Sequence, residues 1–183
     1  MAMHGIYNYQ DLTLKSFSVL NEIESNFVLE MRNHPEVASW MVGNIKIDRQ
    51  SHKQFMANQS SETRNFNYLA YDADGVAGVV SLHRVDRYNE IAWLGIYKNP
   101  FRSEKGLGRK ILKAICHFAF EVAKLHTFKI EVVSNNAAAI RAYSAIGFKN
   151  EGVWREAVKR DSDYLDLVLM GMTFSEWVGH EKK

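Results

Sequence analysis

The chain has 183 residues, 46% hydrophobic and 24% charged, with a formal net charge of +2 at pH 7. That length suggests one domain over 1–183, and that composition a soluble globular protein with a full core. The small net charge excludes the broad basic face of a non-specific nucleic-acid binder, so any attraction for anions has to be local. A single cysteine, Cys116, excludes an internal disulfide framework and fits a reducing compartment. Residues 1–10 hold no basic segment followed by an apolar one, and no window approaches the roughly 18 apolar residues of a membrane span. The expectation is a cytoplasmic protein that partners neither nucleic acid nor membrane.

Residues 12–20 alternate apolar and polar, which predicts a half-buried first strand. From Asn21, a plausible N-cap, Ile23, Phe27, Val28 and Met31 keep helical spacing, and Pro35 ends that helix within Arg32-Asn33-His34. A short helical turn carries Val37, Trp40 and Met41, and Asp48 begins a polar helix with Phe55 and Met56 as its apolar contacts. The run FNYLAYD, a turn at Ala73-Asp74-Gly75 and the run VAGVVSLHRV read as a hairpin. Next come a strand IAWLGIYK, a basic glycine loop, an apolar-striped helix, a strand TFKIEVV and a helix led by Asn135-Asn136 that ends at Gly147-Phe148. GVWREAVKR and YLDLVLMGM form a terminal hairpin, followed by a short helix over FSEWVGH. The order is that of an α+β protein with one strand–helix–strand crossover.

A strand feeding a glycine loop and then a helix gathers backbone N–H groups and the positive end of a helix at one spot, which suits phosphate. Lys105, Arg109, Lys110 and Lys113 surround Gly106 and Gly108 there. Taken alone the loop is equally an ordinary strand-to-helix turn with a solvated basic face.

The segment Ser103-Glu104-Lys105-Gly106-Leu107-Gly108 resembles motif A of the GNAT superfamily of acetyl-CoA-dependent N-acetyltransferases, with Ser103 where Gln or Arg is usual and Arg102 one place early. Asn136, Ala139, Tyr143 and Gly147-Phe148 resemble the superfamily's motif B. Further strings are similar to one branch: Arg32-Asn33-His34-Pro35, Trp40-Met41, and the run from Leu94 to Phe101 (LGIYKNPF). That branch is the UDP-4-amino-4,6-dideoxy-N-acetyl-altrosamine N-acetyltransferases of pseudaminic acid synthesis, linked to flagellin glycosylation. The resemblance implies a GNAT fold: a mixed, mostly antiparallel twisted sheet of about seven strands flanked by helices, with a splayed central strand pair. It implies acetyl-CoA as co-substrate and a UDP-linked amino sugar as acceptor.

On this resemblance the N–H groups of Lys105, Gly106, Leu107, Gly108, Arg109 and Lys110 hold the CoA diphosphate. Backbone groups of Ile96 and Lys98 pair with the pantetheine arm like an added strand, and Asn136 holds its amide. Tyr143, which alone would read as a core tyrosine, meets the departing thiolate. A phenol titrates near 10 and a thiol near 8.5, so full proton transfer is uphill by roughly 2 kcal/mol and comes late. Glu131, otherwise a solvent-facing strand carboxylate, removes the amine proton directly or through water, with Ser81 in support. Arg32, His52, His83 and Arg84 face the UDP moiety, while Met41, Phe55, Trp93 and Tyr97 serve the uracil and the 6-methyl group. Each of these last four is as readily plain core packing. Cys116 reads as core, and the seven histidines show no metal-ligand spacing, so no metal is expected. The rivals are acetylation of protein N-termini or polyamines, and a non-catalytic CoA-binding module. The terminal hairpin is a candidate for extending the sheet across a homodimer.

Overall fold

The computed structural model describes residues 3–43 and 45–181. Its first surprise is at the start, where the expected single strand is two. β1 (Ile6–Tyr9) turns back through Gln10, held at φ 53°, into β2 (Leu12–Ser16). At Ser16 the strand stops, because the Ser16 hydroxyl accepts from the Ser18 N–H and Phe17–Val19 close into a single 3-10 turn. The alternation that continues to residue 20 therefore belongs to a turn.

The helix signals are realised closely. α1 (Glu22–Asn33) begins with a capping box: Asn21 accepts from the Glu24 N–H, and the Glu24 carboxylate accepts from the Asn21 N–H. Pro35 holds His34 extended at ψ 136°, which ends α1 and starts α2 (Pro35–Ala38). Asp48 caps α3 (Arg49–Ala57). There follow β3 (Phe66–Asp72), β4 (Gly75–Asp86), β5 (Ile91–Lys98), α4 (Leu107–His117), β6 (Thr127–Val133), α5 (Ala137–Ser144), β7 (Lys149–Arg160), β8 (Asp163–Thr173) and α6 (Phe174–Glu181). After α4 the helix runs on as a π-type turn over Phe118–Val122, which the apolar stripe does not announce.

The strands form one sheet of eight in the order β1-β2-β3-β4-β5-β6-β8-β7. Every neighbouring pair is antiparallel except β5 and β6, which the α4 crossover makes parallel. α4 buries Ile111, Leu112, Ile115 and Cys116 against Val80, Leu82, Leu94 and Phe128 on one face of the sheet. On the other face Val28 and Met31 of α1 pack against Leu69 and Val79. Trp177 of α6 stacks on Phe120 with ring centroids 5.9 Å apart.

One break in this regularity matters most. β5 pairs with β6 only from Ile91 to Trp93, yet it stays with β4 as far as Lys98. β6 meanwhile pairs with β8 along its whole length. Each strand keeps its long antiparallel partner, and the natural twist of the sheet carries the two apart beyond Trp93. Asn99 fixes the end of β5: its amide donates to the Val76 carbonyl at 2.8 Å and its side-chain oxygen accepts from the Phe101 N–H at 2.9 Å. The β5 edge from Leu94 to Lys98 is left facing a gap.

Ile115 is fully buried at the centre of the α4 stripe. Ile115→Ala should therefore lower the free energy of unfolding by about 2–5 kcal/mol, read as a shifted midpoint with an unchanged slope in urea.

Candidate active site

At the mouth of the gap, α4 begins with Gly106 at φ 89°, a conformation that favours glycine, and without any side-chain hydrogen bond to its first turn. A Cβ placed on Gly106 or Gly108 would meet nothing within 4 Å, so neither glycine is there to satisfy local packing. Gly108 instead lines a cavity of about 510 Å³ together with Ile96, Lys98, Asn136, Ala139 and Tyr143. The unpaired β5 edge forms one wall of that cavity, and the uncapped end of α4 lies beside it. This is a backbone surface suited to an extended amide chain that ends in phosphate.

The loop's charges divide into two kinds. Lys105 and Arg109 are exposed at the rim, whereas Lys110 is ion-paired to Asp11 at 2.8 Å on the surface. Arg102 is spent inside the protein: it pairs with Asp72 at 2.8 Å and with Glu104, and its hydrogen bonds hold the Asp72 carboxyl below the usual range. It braces the loop onto the β3–β4 turn. Leu107 is buried, so only its backbone is available to a ligand. Asn136 caps α5 by accepting from the Ala139 N–H at 3.1 Å, which leaves its NH2 group as the free donor among the described residues. Tyr143 packs edge-on against Phe148, and burial pushes its phenol up to about 12.

Behind Tyr143 a smaller cleft of about 230 Å³ is lined by His83, Arg84, Trp93 and Glu131. Arg84 sits at φ 51°, where the β4–β5 register shifts, and this bulge turns its guanidinium over the Trp93 ring at 4.2 Å. From there it pairs with Glu131 at 2.5 Å. The Glu131 carboxylate thus lies in the cleft, as expected, but in the grip of a cation.

A third cavity of about 440 Å³ opens on the α1–α3 side and is lined by Arg32, His52, Phe55, Ser81, His83 and Tyr97, among others. The Arg32 Nη1 is buried there with no hydrogen-bond partner among the described residues. Burial pushes the Arg32 guanidinium down from its usual value, yet an arginine stays charged at neutral pH, so the cavity is lined by a cation with one N–H group unpaired among the described residues. Burial also raises the Tyr97 phenol.

Two expectations change in detail. His52 is buried and its Nε2 lies 2.8 Å from the Ser25 carbonyl, to which the ring N–H donates. The neutral ring then offers an acceptor, not a donor, to anything in the cavity, so it cannot donate to phosphate in that form. Ser81 donates to the Asn67 side-chain oxygen at 2.7 Å, and Asn67 in turn donates to Gln59 at 2.9 Å. The serine belongs to a buried polar chain under the cavity floor. A lone Asn in the apolar run FNYLAYD was the available sign of that chain.

Met41 and Ile96 line all three cavities. The loop that carries Met41 is tied down from the far end of the chain: Arg160, at the tip of β7, donates to the carbonyls of Met41 and Val42, the latter at 3.0 Å. Nothing in the sequence singles out this arginine.

The family model described as Acetyltransferase (GNAT) domain matches residues 25–169. The chain belongs to the GNAT acetyltransferases. It is an acetyl-CoA-dependent N-acetyltransferase. Among its relatives, Acetyltransferase PseH of Campylobacter jejuni is 28% identical over 132 residues, covering 72% of this chain and 81% of that protein. The probable N-acetyltransferase YjcK of Bacillus subtilis is 26% identical over 102 residues, covering 55% and 56%. The spermidine N-acetyltransferase of Vibrio cholerae, solved with CoA and spermine, superposes with a TM-score of 0.85 at 20% identity, covering 92% of this chain and 98% of that one. A GCN5-related N-acetyltransferase of Brucella melitensis superposes with a TM-score of 0.78 at 19% identity, covering 98% and 83%. The sheet of this chain has eight strands, one more than the sequence suggests.

Arg160→Ala removes the charged hydrogen bonds that fix the roof loop. It should raise KM about tenfold while kcat changes far less, measured by thiol release at varied substrate concentrations.

Proposed function

We propose that this acetyltransferase transfers the acetyl group of acetyl-CoA to the C4 amine of a UDP-linked 4-amino-4,6-dideoxy sugar, a pseudaminic acid precursor. The observation that carries the reading is the unpartnered Arg32 Nη1 inside the acceptor-side cavity. A buried cation without a partner is costly, and an anionic substrate that supplied the missing oxygen would recover that cost. His83 lines that cavity too, Arg84 lines the adjoining cleft paired with Glu131, and among the described residues no carboxylate lines the cavity itself. A polyamine would meet repulsion there. The likeness to a spermidine acetyltransferase is one of fold, at 20% identity. The strings around Arg32 and Ile96, together with the PseH relatives, support a nucleotide sugar instead.

In this reading acetyl-CoA lies along the unpaired edge of β5. Its diphosphate rests on the N–H groups of residues 105–110, and Asn136 donates to a pantetheine carbonyl. The acceptor enters from the α1–α3 side with its phosphates toward Arg32, while Phe55, Trp93 and Tyr97 contact its apolar and ring surfaces. The two substrates meet where Ile96 borders all three cavities, so the reaction is direct transfer in a ternary complex. The neutral amine attacks the thioester carbonyl, and a backbone N–H near Ile96 or Tyr97 stabilises the oxyanion. Tyr143 hydrogen-bonds the departing sulfur. With its phenol near 12 and a thiol near 8.5, early proton transfer is uphill by roughly 5 kcal/mol, so the proton follows C–S cleavage.

Thiol release from acetyl-CoA in the presence of a UDP-4-amino-4,6-dideoxy sugar tests the assignment. Saturable release is expected, and UDP alone should bind and compete; absence of both removes the sugar nucleotide as acceptor. Tyr143→Phe should lower kcat about 10–100-fold with little change in KM for either substrate. Equal activity of the variant would exclude the tyrosine from the leaving-group step.

A further inference from the structure

We propose that His83, not Glu131, is the base that accepts the proton of the acceptor amine, an inference that builds on the amino-sugar reading above. The amine must lie where the acceptor cavity meets the cleft that holds Tyr143. Met41, His83, Gly95 and Ile96 line both of those spaces. Of these, only His83 carries a group that can accept a proton.

Local geometry keeps that imidazole in place and available. His83 stands opposite Trp93 across the β4–β5 ladder, one residue before the bulge that redirects Arg84. Its ring lies against Gly95, where an added Cβ would come within 2.5 Å of Nε2. Glycine at that position is thus what allows the ring to occupy the wall between the two spaces. No hydrogen bond from the described residues engages the ring.

The other candidates are committed. Glu131 already accepts from the Arg84 guanidinium, which is itself held over Trp93. An amine proton would have to compete with that guanidinium for the charge of the same carboxylate, whose Oε1 it already holds. His52 is bound to Ser25, and Ser81 gives its proton to Asn67.

Electrostatics agree with the placement. The charged and titratable groups around His83 are Arg84 on its own strand, Glu62 from the segment before β3, Arg32 from α1, His52 from α3, Tyr97 on β5, Glu131 on β6 and Tyr143 on α5. Burial first, and the Arg84 charge second, push the imidazole below its ordinary value, against an opposing pull from Glu62. At neutral pH the ring is free to take a proton.

The step balances without a further reactant. The amine lone pair forms the C–N bond to the thioester carbonyl, and the N–H proton passes to His83 as the nitrogen turns positive. The tetrahedral adduct collapses, the C–S bond breaks, and the thiolate leaves with the electron pair and is protonated at Tyr143. The proton on His83 returns through solvent to the phenolate.

The test is the pH dependence of kcat/KM for thiol release from acetyl-CoA with the UDP-4-amino sugar. In the wild type both amine and imidazole must be unprotonated, so the acid limb approaches a logarithmic slope of about two. His83→Gln should reduce that slope to about one and lower the plateau about 100-fold. Glu131→Gln should slow the enzyme yet keep the steeper limb, and added imidazole should restore rate to His83→Ala. A His83→Gln enzyme with the wild-type rate and slope overturns the proposal, as does loss of the steep limb in Glu131→Gln instead. If the sugar nucleotide releases no thiol, that acceptor is lost, and the base is then read from acetyl-CoA hydrolysis with water as nucleophile. Loss of hydrolysis in His83→Ala, reversed by imidazole, supports the assignment; hydrolysis indifferent to His83 removes it.

Discussion

β5 holds its antiparallel contact with β4 to Lys98 but leaves β6 after Trp93, and the binding spaces of the protein follow from that parting. A fully zipped parallel pair would satisfy the β5 edge with protein hydrogen bonds and close the gap between Ile96 and Tyr143. Because the pair unzips, the edge is free to hydrogen-bond a substrate, and the cavities on its two sides share Met41 and Ile96. The cost of an unpaired strand edge is kept small by anchoring its end, where Asn99 holds β5 to the β4 backbone. On the proposed function, donor and acceptor recognition are both consequences of one topological feature.

The two approaches recognise different chemistry because different elements line them. On the donor side the polar surface is mostly backbone: a strand edge and the uncapped start of α4, with glycines that leave space where side chains would stand. On the acceptor side the polar surface is side chains from α1, β4 and β6, and its dominant charge is positive. Among the described residues, Arg32 Nη1 is the buried side-chain nitrogen without a hydrogen-bond partner, and on the proposed reading a substrate oxygen completes it. In the adjoining cleft the Arg84–Glu131 pair neutralises a carboxylate that would otherwise face an anionic acceptor.

Local signals were legible wherever a single side chain enforces a backbone choice. Asn21, Asp48, Pro35 and Gly106 each set a boundary that the structure keeps. The strand expected over 12–20 was misread because a serine hydroxyl bonding its own backbone looks, in sequence, like the polar half of an alternation. β1 escaped notice because four residues with an irregular pattern gain their structure only by pairing with β2. The donor loop was readable as glycines and basic residues, but Arg102 was not readable as a structural brace, because its partner Asp72 lies on another turn.

By itself the sequence determined most of the order of elements and the GNAT-like motifs, which rest on spacing along the chain, and the resemblance carried by those motifs implied most of the residues that border the cavities. Only the tertiary structure decided what those residues are free to do. His52 is committed to Ser25, Ser81 to Asn67 and Glu131 to Arg84, while among the described residues His83 and the Nη1 of Arg32 have no hydrogen-bond partner. A proton or a hydrogen bond can be offered only by a group that no neighbour has already claimed, and neighbours drawn from strands and helices up to more than a hundred residues apart are set by the fold.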